Sequence, residues 1–237
     1  MSAFFTHKIL KKYLCFSLVL LSSTANASLI NSYDFNDTLS DTMGNGVDLV
    51  ASGGNISSGR YNFTDNQGLK LTSALPSTSD YAIEIKFQIN QDTSGYNKVI
   101  DFQNLASDVG LYIFSGAVDF YTAGPTAGSI SIDTDYTLGL ARSDGSITVF
   151  LDNNELFSTS DSNQAVSASN ILNFFEDDSH TGQREAFTGS VDFIRIHNDS
   201  SSFGEIPNPV PVPAAMWLFA SGFAGLWGMR KRSSYSN

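Results

Sequence analysis

Between Tyr81 and Ile89 the chain reads Tyr-Ala-Ile-Glu-Ile-Lys-Phe-Gln-Ile. Every odd position is apolar or aromatic, and every even one except Ala82 is polar. A period of two places all the odd side chains on one face of an extended strand, whereas a helix would scatter them around its circumference. Such a strand has one wet face and one dry one. It requires neighbours along both edges and a second apolar surface to cover it.

Shorter runs of the same kind recur at Ser32 to Phe35, Arg60 to Phe63, Leu69 to Leu71, Lys98 to Phe102, Gly110 to Phe114, Ala117 to Tyr121, Tyr136 to Ala141, Ser146 to Leu151, Ile171 to Phe175 and Ser190 to His197. Turn residues separate them, among them Gly44-Asn45-Gly46, Ser52-Gly53-Gly54, Ser143-Asp144-Gly145 and Asp152-Asn153-Asn154. About a dozen strands without an amphipathic helix between them predict an all-β sandwich. At 237 residues with 41% hydrophobic positions, the chain suits one domain plus appendages.

Charge divides the chain unevenly. Three of its 13 basic residues lie in the first twelve positions and three in Arg230, Lys231 and Arg232, while all 24 acids lie between Asp34 and Glu205. The seven remaining basic residues leave the body at −17. That surface repels nucleic acid and anionic lipid and offers carboxylates to divalent cations. Cys15 is the only cysteine. It falls in a segment expected to be removed, which excludes disulfides, zinc-thiolate sites and cysteine nucleophiles from the mature protein.

Residues 1–27 have a basic stretch, an apolar run from Tyr13 to Leu21 and then Ala25-Asn26-Ala27, the small-x-small pattern that signal peptidase reads. The run is too short to remain as a membrane span. The expected body therefore covers 28–199, followed by a polar, proline-punctuated linker at 200–209. From Ala214 to Met229 there is no charge over 16 residues, about 24 Å of helix, and adding Val210 to Pro213 brings it near ~30 Å, one hydrocarbon thickness. A transmembrane helix is predicted here, and the basic cluster after it stays cytoplasmic by the positive-inside rule. Export at one end and this orientation at the other describe one topology.

Val210-Pro211-Val212-Pro213, the short apolar helix and Arg230-Lys231-Arg232 together resemble the PEP-CTERM sorting signals of Gram-negative bacteria, with Val212 where a Glu usually sits. The resemblance implies a membrane peptidase of the exosortase type as partner, transient anchoring in the inner membrane, cleavage near Pro211 to Pro213, and delivery to the cell surface or an extracellular matrix. If the tail is not cut, it is a permanent anchor.

The body resembles the concanavalin A-like, laminin G type jelly roll. The resemblance rests on Tyr33-Asp34-Phe35 followed by Asp41 and Gly44-Asn45-Gly46, on Tyr81 to Ile89, on the hairpin Ile147 to Glu155, and on the closing Phe187 to Asn198. In the hairpin Asn153 replaces the family's usual Gly, a substitution Asn tolerates because it enters the left-handed region at little cost. This fold hosts lectins, adhesion modules, glycosidases and spacers, so it does not fix a function.

Catalytic patterns are absent from the sequence. Glycosidases need two carboxylates across a sugar, and laminarinase-like members of this class place them as Glu-x-Asp-x-x-Glu, which this chain lacks. Glu84 shares its face with Lys86 and Gln88, as a solvated carboxylate does. His180 and His197 stand far apart, with no Gly-x-Ser-x-Gly elbow and no His-x-x-x-His pair. The chain is expected not to be an enzyme.

One acidic group stands out: Glu176-Asp177-Asp178-Ser179, with Glu185 close behind. Calcium takes six to eight oxygens, and bunched carboxylates repel one another without a cation. The run resembles the calcium loop of pentraxins, which implies Ca2+ held by Glu176, Asp177, Asp178 and Glu185. A solvated acidic loop is the alternative. Asp192 shares strand parity with Ile194 and Ile196. Either a bulge turns it outward, or it is a partly buried carboxylate with Arg195 or a cation as partner. The expectation is an exported, non-catalytic binding module recognising carbohydrate or another matrix component, with a polysaccharide hydrolase or a purely structural surface protein as alternatives.

Overall fold

The computed structural model describes residues 28–202 apart from 74, 122–123, 162–165 and 167–168. The expected leader, most of the linker and the sorting segment with its helix lie outside the described residues. Among the described residues no helix is long and apolar enough to cross a membrane, and the only helical element is the 3-10 turn Ser200–Ser202.

The strand of the opening motif, Tyr81–Ile89, is β6 of fourteen among the described residues. Its odd side chains are buried and its polar even ones partly exposed. Ala82, the exception, is buried on the opposite face with Ala141 and Phe150 from neighbouring strands. β6 lies between β10 (Asp135–Ser143) and β14 (Gly189–His197) in an eight-stranded antiparallel sheet. Outward from β10 come β11 (Ser146–Leu151) and β12 (Asn154–Ser160). On the far edge of β14, β4 (Arg60–Phe63) pairs with Gly189 to Val191 and β1 (Leu29–Tyr33) with Ile194 to His197, while β3 (Asn55–Ser57) extends the sheet beyond β4.

The partner of β14 changes at Asp192, where the register against β6 shifts between Val191 and Phe193. A bulge there turns Asp192 outward, and its carboxylate meets Lys86 Nζ at 2.7 Å. The first of the two expectations for Asp192 holds, with Lys86 as partner and not Arg195. Arg195 lies over the Phe193 ring at 3.9 Å and reaches Glu84 at 3.5 Å. The β11–β12 hairpin turns on Asp152 and Asn153, both left-handed at φ 49 and 63, as a tight turn matched to strand twist requires.

The second sheet has six strands in the order β2 (Val50–Ala51), β5 (Leu69–Thr72), β13 (Ile171–Phe174), β7 (Tyr96–Asp101), β8 (Gly110–Phe114) and β9 (Ala117–Tyr121). One hydrophobic core joins both sheets. It includes a group of rings, with Phe63 stacked on Phe175 at 4.5 Å and Phe187 edge-on to both. The all-β sandwich expected from the alternation is the fold of the described residues.

Candidate functional site

Strands β8 and β9 alternate as strictly as β6, while β7 keeps its alternation up to an irregularity between Lys98 and Ile100 that sends both Val99 and Ile100 into the core. Leu111, Ile113, Val118 and Phe120 enter the core, so Tyr112, Phe114, Asp119 and Tyr121 stand on the outer face of the second sheet. Tyr96 and Lys98 pair opposite Phe114 and Tyr112 and share that face. The rings of Tyr96 and Phe114 stack at 4.2 Å, and those of Tyr96, Tyr112 and Tyr121 meet edge to face at 5.5 to 6.1 Å.

The acidic loop, residues 175–188, is tied to this face by the Lys98 N–H, which donates to the Glu185 carbonyl at 2.7 Å. Asp177 and Asp178 are 0% exposed, and so is Lys98. The ammonium pairs closely with Asp178, lies 3.4 Å from Asp177 and 3.8 Å from Asp101, and sits 5.1 Å from the Tyr112 ring centre. The loop supplies further donors. Asp177 accepts from Thr181 Oγ1 at 2.8 Å and from the Glu185 N–H at 2.9 Å, and Asp178 accepts from the His180 N–H at 2.7 Å. Asp101 accepts from the N–H groups of Leu105 and Gln103 and from Asn173 Nδ2.

These four acids do not converge on one point. Glu176 turns to Ser52, whose hydroxyl donates to it at 3.2 Å, while Glu185 faces a separate pocket. Among the described residues no group of three or more acids and histidines is placed to hold a metal. The cation shared by Asp177 and Asp178 is the Lys98 ammonium. Glu176, Asp177, Asp178 and Glu185, expected to hold Ca2+, are thus not gathered around one point in this structure. The alternative of a freely solvated loop fails, because its two central acids are buried.

Beside the ion pair, Tyr96, Asp108, Tyr112, Tyr121, Thr181 and Glu185 line a pocket of about 220 Å³. A wider depression of about 400 Å³ adjoins it, sharing Tyr96 and Tyr121 and adding Phe114, Asp119 and Thr126. Burial pushes the Asp108 carboxyl up, as do the charge of Asp178 and the hydrogen bond between the two. Asp178 moves the other way. Its burial is outweighed by the hydrogen bonds from Lys98 and the His180 N–H, the Lys98 charge and the hydrogen bond with Asp108. Glu185 is raised by burial and by the charges of Asp177 and Asp108. The Tyr112 phenol is driven far up by burial and by Glu185, and its hydroxyl donates to the Asp108 carbonyl at 3.0 Å.

Sequence reasoning missed Lys98, Asp108 and the three tyrosines. The signal for the rings was present, since Tyr112, Phe114 and Tyr121 occupy the off-core parity of their strands. Lys98 had an indirect one: a bunched acidic loop needs a counter-charge, and the body has seven basic residues to supply it. Val210, Pro211, Pro213, Arg230, Lys231 and Arg232 lie outside the described residues.

No family model and no curated protein matches this chain. Solved structures do resemble it. Trypanosoma rangeli sialidase in complex with 2,3-difluorosialic acid superposes with a TM-score of 0.58 at 14% identity, over 73% of this chain and 31% of the sialidase. Domain 4 of AbnA, a GH43 extracellular arabinanase from Geobacillus stearothermophilus, in complex with arabinotriose, gives 0.54 at 19% identity, over 75% of this chain and 97% of that domain. The binding domain of botulinum neurotoxin serotype D gives 0.55 at 11% identity, over 73% of this chain and 49% of that one. The likeness is one of fold, and the neighbours are β-sandwich domains of glycosidase and binding proteins.

Proposed function

We propose that this chain is an exported, non-catalytic carbohydrate-binding module of the laminin G, concanavalin A-like class. The observation that carries the reading is the shelf of Tyr96, Phe114 and Tyr121 on the outer face of the second sheet, with Asp119, Thr126 and Thr181 beside it. Sugar rings present apolar C–H faces to aromatic rings and hydroxyls to carboxylates and hydroxyl groups, and this surface supplies both. The fold shared with a domain bound to arabinotriose supports the reading. In this proposal signal peptidase removes residues 1–27, and an exosortase-type peptidase cuts the PEP-CTERM-like tail after transient anchoring in the inner membrane of a Gram-negative bacterium. The sandwich is then delivered to the cell surface or matrix, where extracellular polysaccharide is its partner.

A glycan array tests the proposal. Binding should be lost when Tyr96 and Tyr121 are changed to Ala, with the melting temperature measured alongside to show that the fold survives. An array on which no glycan binds the wild-type protein refutes it. A second reading, hydrolysis, is favoured by one observation, the two carboxyls of raised pKa, Asp108 and Glu185, that line one pocket. Against it, the Asp108 carboxyl is already hydrogen-bonded to Asp178. Release of reducing sugar from any bound polysaccharide, abolished by Glu185→Gln, would establish it.

A further inference from the structure

The pocket beside the ion pair has more negative charge than the protein neutralises. Asp101, Asp108, Asp177, Asp178 and Glu185 cluster around it, and the buried cation beside them, Lys98, is committed to Asp177 and Asp178, while the buried Arg142 pairs with Asp161 elsewhere. Asp108 and Glu185, the two that line the cavity, have no ion pair among the described residues; the Asp108 carboxyl is engaged with Asp178, which leaves the Glu185 carboxylate to receive a cation. The nearest other cationic groups are on the loop rim. Arg184 is exposed and donates to the Thr181 carbonyl at 2.8 Å, and His180 is exposed.

Three further walls are the Tyr96, Tyr112 and Tyr121 rings, set edge to face. Aromatic faces attract a cation, and the more so where water is excluded. Rings plus the Glu185 carboxylate form a receptor for an ammonium group. A neutral hydroxyl can hydrogen-bond a carboxylate but an ammonium gains the attraction of opposite charges as well, and a uronate or sialate would be repelled. At about 220 Å³ the cavity is smaller than the roughly 300–1,000 Å³ of sites that enclose a drug-sized ligand, so it suits one head group or one ring. The adjoining depression continues the aromatic surface past Tyr96 and Tyr121 for neighbouring residues of a chain.

We infer that this pocket takes the protonated amine of an amino sugar, so that the polysaccharide recognised is one bearing unacetylated amino groups. The inference rests on the carbohydrate reading above and names its substrate class.

Calorimetry with the full-length protein in mild detergent tests it, using glucosamine, N-acetylglucosamine and glucose tetrasaccharides of equal length as probes. The glucosamine tetramer should bind at least about tenfold more tightly than either neutral one, the factor expected of a charge-assisted contact in a partly dry site. Glu185→Gln should remove that preference, and Tyr96→Ala should weaken it in an independently folded variant. Asp144→Asn, in the exposed β10–β11 turn of the other sheet, removes the same unit of charge and should leave the preference intact. If both acid-to-amide variants weaken binding alike, the attraction is general to an acidic surface and the inference falls. Equal affinity for a neutral tetramer overturns the amine but leaves the carbohydrate reading standing. Binding of ethanolamine with no tetrasaccharide bound overturns the carbohydrate reading and the amino sugar with it.

Discussion

Replacing Lys98 with Met removes the one positive charge shared by Asp177 and Asp178 while keeping the length and apolar stem of the side chain. Both carboxylates are 0% exposed, so water cannot solvate the charge left behind. Removing one partner of a buried ion pair costs about 3–5 kcal/mol, most of it the penalty on the stranded charge. For a domain of this size, at roughly 2–4 °C per kcal/mol, the melting temperature should fall by about 6–20 °C. Calorimetry and urea unfolding with an unchanged m-value would measure it. The deficit has two further signatures. It should shrink as the pH falls, because protonated carboxyls no longer need the ammonium. It should also shrink when Asp177→Asn and Asp178→Asn are added, because neutral amides replace the stranded charges. Sodium chloride should not rescue the variant, since buried pairs are poorly screened. A loss below about 1 kcal/mol, the range of exposed pairs, would refute the reasoning, as would a loss independent of pH.

Asp101, Asp108, Asp119, Glu176 and Glu185 are all raised by burial. The folded state therefore binds protons more tightly than the unfolded one in the window opening upward from the ordinary values of 3.8 and 4.5. Stability should increase as the pH falls through that window. Asp41 and Asp178 are lowered, so their contributions are lost at more acid pH, and His197, lowered by burial and by Arg195, opposes the rise below its ordinary range. Urea midpoints from pH 8 to 3 should pass through a maximum on the acid side of neutrality; a maximum above pH 7 would contradict the shifts. Because the Lys98 ammonium already stands between Asp177 and Asp178, calcium chloride should raise the melting temperature no more than sodium chloride of equal ionic strength, and a calcium-specific rise would refute this. For the tail, Pro211→Ala with Pro213→Ala should leave a larger, membrane-retained species, and mature wild-type protein that still contains Trp217 would show by mass spectrometry that the tail is an anchor.

The fold was largely legible before the structure. Alternation in Tyr81–Ile89 named its buried face, and the runs at 60–63, 110–114, 117–121 and 146–151 match strands at both ends. The two- and three-residue edge strands Val50–Ala51 and Asn55–Ser57 were missed because so few residues show no period, and Asn154–Ser160 was read only as the end of the Ile147 to Glu155 hairpin. The acidic loop was legible as unusual, and the cation that the structure sets beside Asp177 and Asp178 is Lys98. Nothing within a few positions of Asp178 indicates that Lys98, 80 residues earlier, pairs with it.

The sequence by itself determined whatever depends on neighbours along the chain: strand faces, turn chemistry, the all-β class and the acidic charge of the body. Patterning of this kind is local, since parity and turn residues act over two to nine positions. Tertiary structure alone decided that Asp192 points outward to Lys86, that Lys98 lies dry between Asp177 and Asp178, and that Tyr96, Tyr112 and Tyr121 close a pocket with Asp108 and Glu185. Charge pairing and cavity shape depend on which distant strands become neighbours, and sheet order, set by the packing of the two apolar faces, fixes that.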